Sequence, residues 1–153
     1  MKLLIIEDEP EMRRMLARFV EVTAGRLNVD VDALQASNLP EALELLPRAE
    51  VILCDGNFPT KPGIVGFGQK PWLAVYAFAR PAVDLRLKRF ALMTGDEEAA
   101  LEAEQRFGLP VFRKPFRVEP VMEWIFGDRA IEPSSHRAID AQELDLFGDG
   151  QAA

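Results

Sequence analysis

Val51-Ile52-Leu53-Cys54-Asp55-Gly56-Asn57-Phe58-Pro59 is an unbroken apolar run that stops on a carboxylate and then on turn-forming residues. A β-prone run without polar alternation belongs to a strand covered on both faces, as in a parallel sheet. The same design recurs on either side of it. Upstream, Leu3-Leu4-Ile5-Ile6 runs into Glu7-Asp8-Glu9-Pro10; downstream, Phe90-Ala91-Leu92-Met93 ends at Thr94, and Pro110–Arg113 ends at Lys114. A weaker alternation over Val29–Leu34 reads as the remaining strand.

Helical patterns separate these runs. Pro10 suits a first helical turn, and Met12, Met15, Leu16, Phe19 and Val20 follow at helical spacing. Asn38 stands where it would cap a helix carrying Ala42, Leu43, Leu45 and Leu46. Trp72–Ala79 reads as a short helix stopped by Pro81. Asp96–Phe107 and Glu119–Phe126 supply the last two, and no internal repeat is evident. Five strand-then-helix units imply an α/β chain with a parallel sheet and helices on both faces. Residues 1–127 read as one domain; residues 128–153 shift to a polar, acidic tail.

Bulk composition narrows the function classes. The 153 residues suffice for a single core of ordinary size, and 48% apolar with 28% charged residues reads as a globular chain. A net charge of -7 argues against non-specific binding to nucleic acid or an anionic membrane. The lone Cys54 cannot form an intramolecular disulfide and fits a reducing compartment. The apolar start meets acids at once, unlike a signal peptide, and no run is long enough to span a bilayer. The expected location is the cytoplasm.

In an open parallel sheet, ligands collect beyond the carboxyl ends of the strands. The residues there are Glu7, Asp8, Asp55, Thr94 and Lys114. Each has a bland reading by itself: acids complement a helix N-terminus, an aspartate or threonine caps, a lysine is solvated. Together, in this order, they make a site. Like charges ~4 Å apart repel by about 4 kcal/mol at an effective dielectric near 20, so three carboxylates at one rim call for a cation. Mg2+ suits them, with Asp8 and Asp55 as direct ligands, the backbone carbonyl of Asn57 as a third, and Glu7 direct or through water. Aspartate is a chemically competent phosphoryl acceptor, Lys114 offers a mobile ammonium, and Thr94 a hydroxyl donor.

With these residues in place, the sequence resembles the response-regulator receiver domains of two-component signalling. The matching pieces are Leu3–Pro10, Val51–Pro59, Ala91-Leu92-Met93-Thr94-Gly95 and Val111-Phe112-Arg113-Lys114-Pro115-Phe116. The resemblance implies a doubly wound (βα)5 flavodoxin-like fold, with a five-stranded parallel sheet in the order 2-1-3-4-5. It implies Asp55 as phosphoacceptor, Glu7 and Asp8 as the acidic metal pocket, Thr94 as switch hydroxyl and Lys114 as phosphate-binding lysine, followed by a cis peptide to Pro115. It further implies a histidine kinase or histidine phosphotransfer protein as donor, a downstream protein target, and no enzymatic activity beyond assisting the chain's own phosphorylation and dephosphorylation. His136, in the polar tail, is an ordinary surface group on this reading and not a phosphoryl carrier.

Three departures qualify the resemblance. Val111 stands where the family carries its switch aromatic, and Phe112 beside it should point to the opposite face of the strand. Asp55 and Thr94 are 94 - 55 = 39 positions apart, longer than in the family, with the excess in Thr60–Lys70. That segment reads as a flexible insertion, or as a lid or docking loop. It resembles a P-loop only faintly, since Gln69 separates Gly68 from Lys70 and Pro71 replaces the hydroxyl residue; a nucleotide site is rejected. The tail shows no helix-turn-helix pattern and no basic stretch, which excludes a DNA-binding output domain. It reads as disordered, or as a docking motif or extra turn built on Leu144, Leu146 and Phe147. A pseudo-receiver, the same fold used as a phosphorylation-independent interaction module, is the alternative function. An aspartyl-phosphate hydrolase is disfavoured, because Asn57 replaces that class's second acid.

Overall fold

The computed structural model describes residues 1–61 and 70–127. The strands are β1 (Lys2–Ile6), β2 (Asp32–Ala36), β3 (Val51–Asp55), β4 (Arg89–Thr94) and β5 (Val111–Arg113). The helices are α1 (Pro10–Leu27), α2 (Leu39–Leu45), α3 (Pro71–Asp84), α4 (Glu97–Phe107) and α5 (Val118–Phe126), with a 3-10 turn over Leu46–Arg48. All pairings are parallel and the order is β2-β1-β3-β4-β5, the doubly wound arrangement expected.

The unbroken apolar runs divide their side chains between two layers, as the period of a strand requires. Leu4, Ile6, Ile52, Cys54, Phe90 and Leu92 pack with Ala42, Trp72, Val75, Tyr76 and Ala103 of α2, α3 and α4. Leu3, Ile5, Val51, Leu53, Ala91 and Met93 pack with Leu16, Phe19, Val20, Val121 and Ile125 of α1 and α5. Both faces of the central strands β1, β3 and β4 are therefore dry, while the edge strands β2 and β5 are only partly covered. The register sets Ile6 beside Cys54 and Asp55 beside Met93, so the residues just beyond them share one edge.

Local chemistry fixes the element ends. Asn38 Oδ1 accepts the Glu41 N–H at 3.0 Å, and Glu41 accepts the Ser37 N–H at 2.8 Å, a reciprocal cap on α2. Asp96 caps α4 by accepting from Glu98 N–H.

Two elements depart from expectation. Asn28 takes the left-handed conformation (φ 56) that closes α1, and Val29 N–H bonds back to Ala24. The second strand consequently begins at Asp32 and runs to Ala36, instead of Val29–Leu34. Helix α3 does not stop before Pro81 but carries it inside and continues to Asp84. Pro81 lacks the N–H that would bond to Ala77, yet both residues are exposed, where water can satisfy the freed carbonyl. The buried stripe of Trp72, Val75, Tyr76 and Ala79 holds the helix on the sheet regardless. Thr60–Lys70 and the tail 128–153, singled out above, lie largely and wholly outside the described residues.

Candidate functional site

The sheet's carboxyl edge brings the predicted set together. β1 delivers Glu7, which is only 1% exposed, and Asp8, which is exposed; β3 ends at the buried Asp55. One oxygen from each of these carboxylates lies within 4.8 Å of the others. Lys114, beyond β5, reaches back across the rim. Its Nζ donates to Glu7 Oε1 at 2.7 Å and to Asp55 Oδ1 at 3.1 Å. The Lys114–Pro115 peptide is cis, as the resemblance implies.

Thr94 is buried at the end of β4, and its Oγ1 accepts the Asp96 N–H at 3.0 Å. Its own hydroxyl proton remains available to donate. Its carbonyl accepts the Lys114 N–H at 2.8 Å, which ties β4 and β5 just under the site. Asn57 is exposed, two residues past Asp55 on the loop leaving the same edge.

Two participants escaped the sequence reading. A Cβ on Gly56 would lie 2.6 Å from Thr94 Oγ1 and 2.9 Å from Thr94 Cβ, so only glycine lets the Asp55 turn pass the threonine. Gly56 N–H also donates to Asp55 Oδ1 at 2.8 Å. Arg13 of α1 donates from Nη1 to the Glu7 carbonyl at 2.8 Å and so braces the acidic turn. Gly56 was visible as a turn residue, but its close approach depends on a strand distant in sequence. Arg13 looks like any other charge on an exposed helix face.

The electrostatics are those of crowded acids. Burial, and then contact with Asp55, hold the Glu7 carboxyl above its ordinary range. Asp8 is raised by burial and by its nearness to Glu7. Asp55 is also raised by burial, against the pull of its bond to Glu7 and of the Lys114 charge. Contact between the two carboxyls pushes Glu7 up and pulls Asp55 down. Burial alone would lower Lys114, but the charges of Asp55 and Glu7 outweigh it and the ammonium ends raised. The site keeps a cation and resists full ionisation of its acids.

This donor set fits a hard divalent ion. Mg2+ takes oxygen ligands, carboxylates among them, and Glu7, Asp8 and Asp55 each offer one within 4.8 Å of the others. Among the described residues no other group of this kind gathers.

The expected two-sidedness of β5 is present. Val111 packs with the α2–α4 layer. Phe112 belongs to the opposite layer, its ring 6.3 Å from Phe116 and 6.1 Å from Trp124. Phe112 therefore does not stand in for an aromatic at position 111.

By its topology the chain has the fold of a response-regulator receiver domain. The non-phosphorylated HemR receiver domain of Leptospira biflexa superposes with a TM-score of 0.61 at 14% identity, covering 86% of this chain and 95% of that one. An uncharacterized protein from Neptuniibacter caesariensis gives 0.56 at 15% identity, over 99% and 95%. A de novo designed Rossmann 2x3 fold protein gives 0.53 at 13% identity, over 86% and 94%. No family model and no curated protein matches the sequence. A designed protein shares the layout, so fold likeness assigns no activity and the site must carry that argument.

Proposed function

We propose that this chain is a response-regulator receiver that accepts a phosphoryl group on Asp55 in a Mg2+-dependent reaction and signals to a protein partner through a conformational switch. The observation that carries this is the convergence of Glu7, Asp8 and Asp55 with Lys114 at one sheet edge, next to Thr94. A structural ion pair needs one acid. Three acids and one lysine leave an excess of negative charge that a divalent cation would balance.

In the proposed reaction an Asp55 carboxylate oxygen attacks the phosphorus of a phosphohistidine or of acetyl phosphate. A P–O bond to Asp55 forms as the P–N or P–O bond to the donor breaks, and imidazole or acetate leaves with the electron pair. When bound by Asp8, Asp55, the Asn57 carbonyl and Glu7, Mg2+ supplies charge neutralisation for the crowded oxygens. Lys114 exchanges its contacts with Glu7 and Asp55 for a phosphoryl oxygen, as a mobile ammonium can. Thr94 turns its hydroxyl proton toward another. That movement is linked to α4, because Thr94 Oγ1 holds the N–H of Asp96, the residue capping that helix. Phosphorylation adds nearly two negative charges, enough to bias such a pair of states.

On this reading the donor is a histidine kinase or histidine phosphotransfer protein, the target another protein, and the chain promotes only its own phosphorylation and dephosphorylation. No described helix is long and apolar enough to cross a membrane; a cytoplasmic location belongs to the proposal. The pseudo-receiver reading draws support from Val111, since the one aromatic of β5, Phe112, packs on the opposite face.

Mg2+ with beryllofluoride, a phosphoryl mimic, distinguishes the two in an amide chemical-shift experiment. The proposal expects shifts at Thr94, Gly95 and Lys114 that require both reagents and vanish in Asp55→Asn. Unchanged spectra in the parent chain would favour the pseudo-receiver.

A further inference from the structure

A groove of about 360 Å3 between α3 and α4 is lined by Leu73, Tyr76, Ala77, Arg80, Arg106 and Phe107. The α3 members recur at helical spacing and so share one face. The floor is aromatic, with the Tyr76 and Phe107 rings 5.0 Å apart. Its rim is cationic: Arg80 and Arg106 lie 5.6 and 4.8 Å from the Phe107 ring centre. Arg80 pairs with Asp84 at 3.6 Å within α3 and Arg106 with Glu102 at 3.2 Å within α4; both arginines are exposed, and the half-buried Glu102 is also held by Lys70 at 2.9 Å. Such pairs are weak and exchange readily for other acids. The groove thus suits a segment that combines apolar side chains with carboxylates.

The chain carries one. Ile139–Asp149 holds Leu144, Leu146 and Phe147 among Asp140, Glu143, Asp145 and Asp149, and no lysine or arginine follows Arg137. We propose that this acidic stretch docks in cis on the α3–α4 groove, placing its apolar side chains on Tyr76 and Phe107 and its carboxylates against Arg80 and Arg106.

The exit point of the tail supports a cis arrangement. The last carbonyls of α5, on Trp124 and Ile125, accept from the Arg89 guanidinium at 2.5 and 2.8 Å. Arg89 opens β4, and the next residue, Phe90, packs its ring 5.2 Å from Tyr76 in the groove floor. The tail therefore leaves beneath the strand that the groove covers, on the other side of the sheet. Crossing from one helical layer to the other takes on the order of 20 Å, given helix diameters of about 10 Å. Glu143 lies sixteen positions beyond Gly127 (143 - 127 = 16), and a flexible tether of that length has a root-mean-square span of about 20–24 Å. Span and tether match, the condition under which effective concentration is greatest.

Among the described residues the most exposed large apolar side chains are Phe78, Leu85 and Leu87, and they are less suited. Phe78 lines a separate pocket with Leu43 of α2 and Leu46 of the 3-10 turn, which includes neither Arg80 nor Arg106.

The test is paramagnetic broadening in the full chain. Cys54 is fully buried, so a nitroxide on Ala152→Cys labels one site. The proposal expects amide signals of Leu73, Ala77 and Phe107 to lose intensity at least roughly threefold more than those of α1, at the partial occupancy a millimolar effective concentration sustains. Arg80→Glu with Arg106→Glu should abolish the difference. So should Leu144→Ser, Leu146→Ser and Phe147→Ser combined, changes that leave residues 1–127 intact should the arginine variant fold poorly. Uniform broadening, broadening centred on Phe78 and Leu85, or broadening that persists in the serine variant would overturn the proposal. Broadening seen only when labelled and isotope-enriched chains are mixed would overturn its cis character.

Discussion

Lys114 offsets part of the rim's negative charge by contacting both Glu7 and Asp55, and its removal is the sharpest perturbation a single side chain allows. Glu7 is 1% exposed and Asp55 6%, so Lys114→Ala strands buried acids without their cation. Breaking such a pair costs on the order of 3 kcal/mol. Denaturant titration at neutral pH should show that loss, and the loss should shrink in acid, as the stranded carboxyls protonate. A loss independent of pH would mean that Lys114 matters for packing alone. Gly56 makes a second, opposite test, because nothing about it is charged. Gly56→Ala drives a methyl to within 2.6 Å of Thr94 Oγ1, and overpacking of this kind costs about 1–3 kcal/mol. Equilibrium unfolding measures it, and the amide of Asp96, held by that hydroxyl, should shift most. An unchanged Asp96 resonance would contradict the close approach.

Among the elements, α2 depends most on local chemistry. Asn38→Ala removes the acceptor for Glu41 N–H and should cost about 1 kcal/mol by thermal or denaturant unfolding; no measurable change would show that Glu41 and Ser37 cap the helix unaided. This cap was legible in the residues, since Asn38 stands just ahead of the apolar pattern. So were β1, β3 and β4, because strands dry on both faces need unbroken apolar runs. Less legible were elements whose limits rest on tertiary partners. β2 starts at Asp32 because Asn28 closes α1 and the strand takes its register from β1, with Lys2 beside Asp32. Helix α3 passes Pro81 because the proline falls on the wet face, a fact no local rule for proline contains. The opposed faces of Val111 and Phe112 followed directly from strand geometry. Their consequence for switching does not, since it depends on what α4 does once Thr94 moves.

At the scale of the molecule, the site works against the fold. Glu7, Asp8 and Asp55 all have raised carboxyl pKa values, with burial the first cause in each. A raised acid stabilises the folded chain while protonated, and that contribution is lost as pH climbs through the folded-state value. At neutral pH the rim is therefore under electrostatic stress that a divalent ion relieves. Mg2+ at a hundredfold excess over its Kd should add about 2.7 kcal/mol to stability by mass action. In thermal unfolding the Mg2+-induced rise in Tm should be largest near pH 7 and disappear below about pH 4, where carboxyls are protonated. Asp8→Asn should raise the metal-free Tm at pH 7 while weakening the response to Mg2+. A metal response equal in acid and neutral solution would separate ion binding from these carboxylates. The site residues could be named from the chain because their chemistry is gathered at strand ends. Gly56 and Arg13 could not, because their roles exist only once β3, β4 and α1 are in place.

The acceptor itself can be trapped. Borohydride reduces an aspartyl phosphate to homoserine, and peptide mass mapping then locates the residue that carried the phosphoryl group. After incubation with acetyl phosphate, the proposed function predicts homoserine at position 55 alone, dependent on Mg2+ and absent when Asp55→Asn is used. Conversion at another carboxylate, or none at any position in the presence of Mg2+, would contradict it.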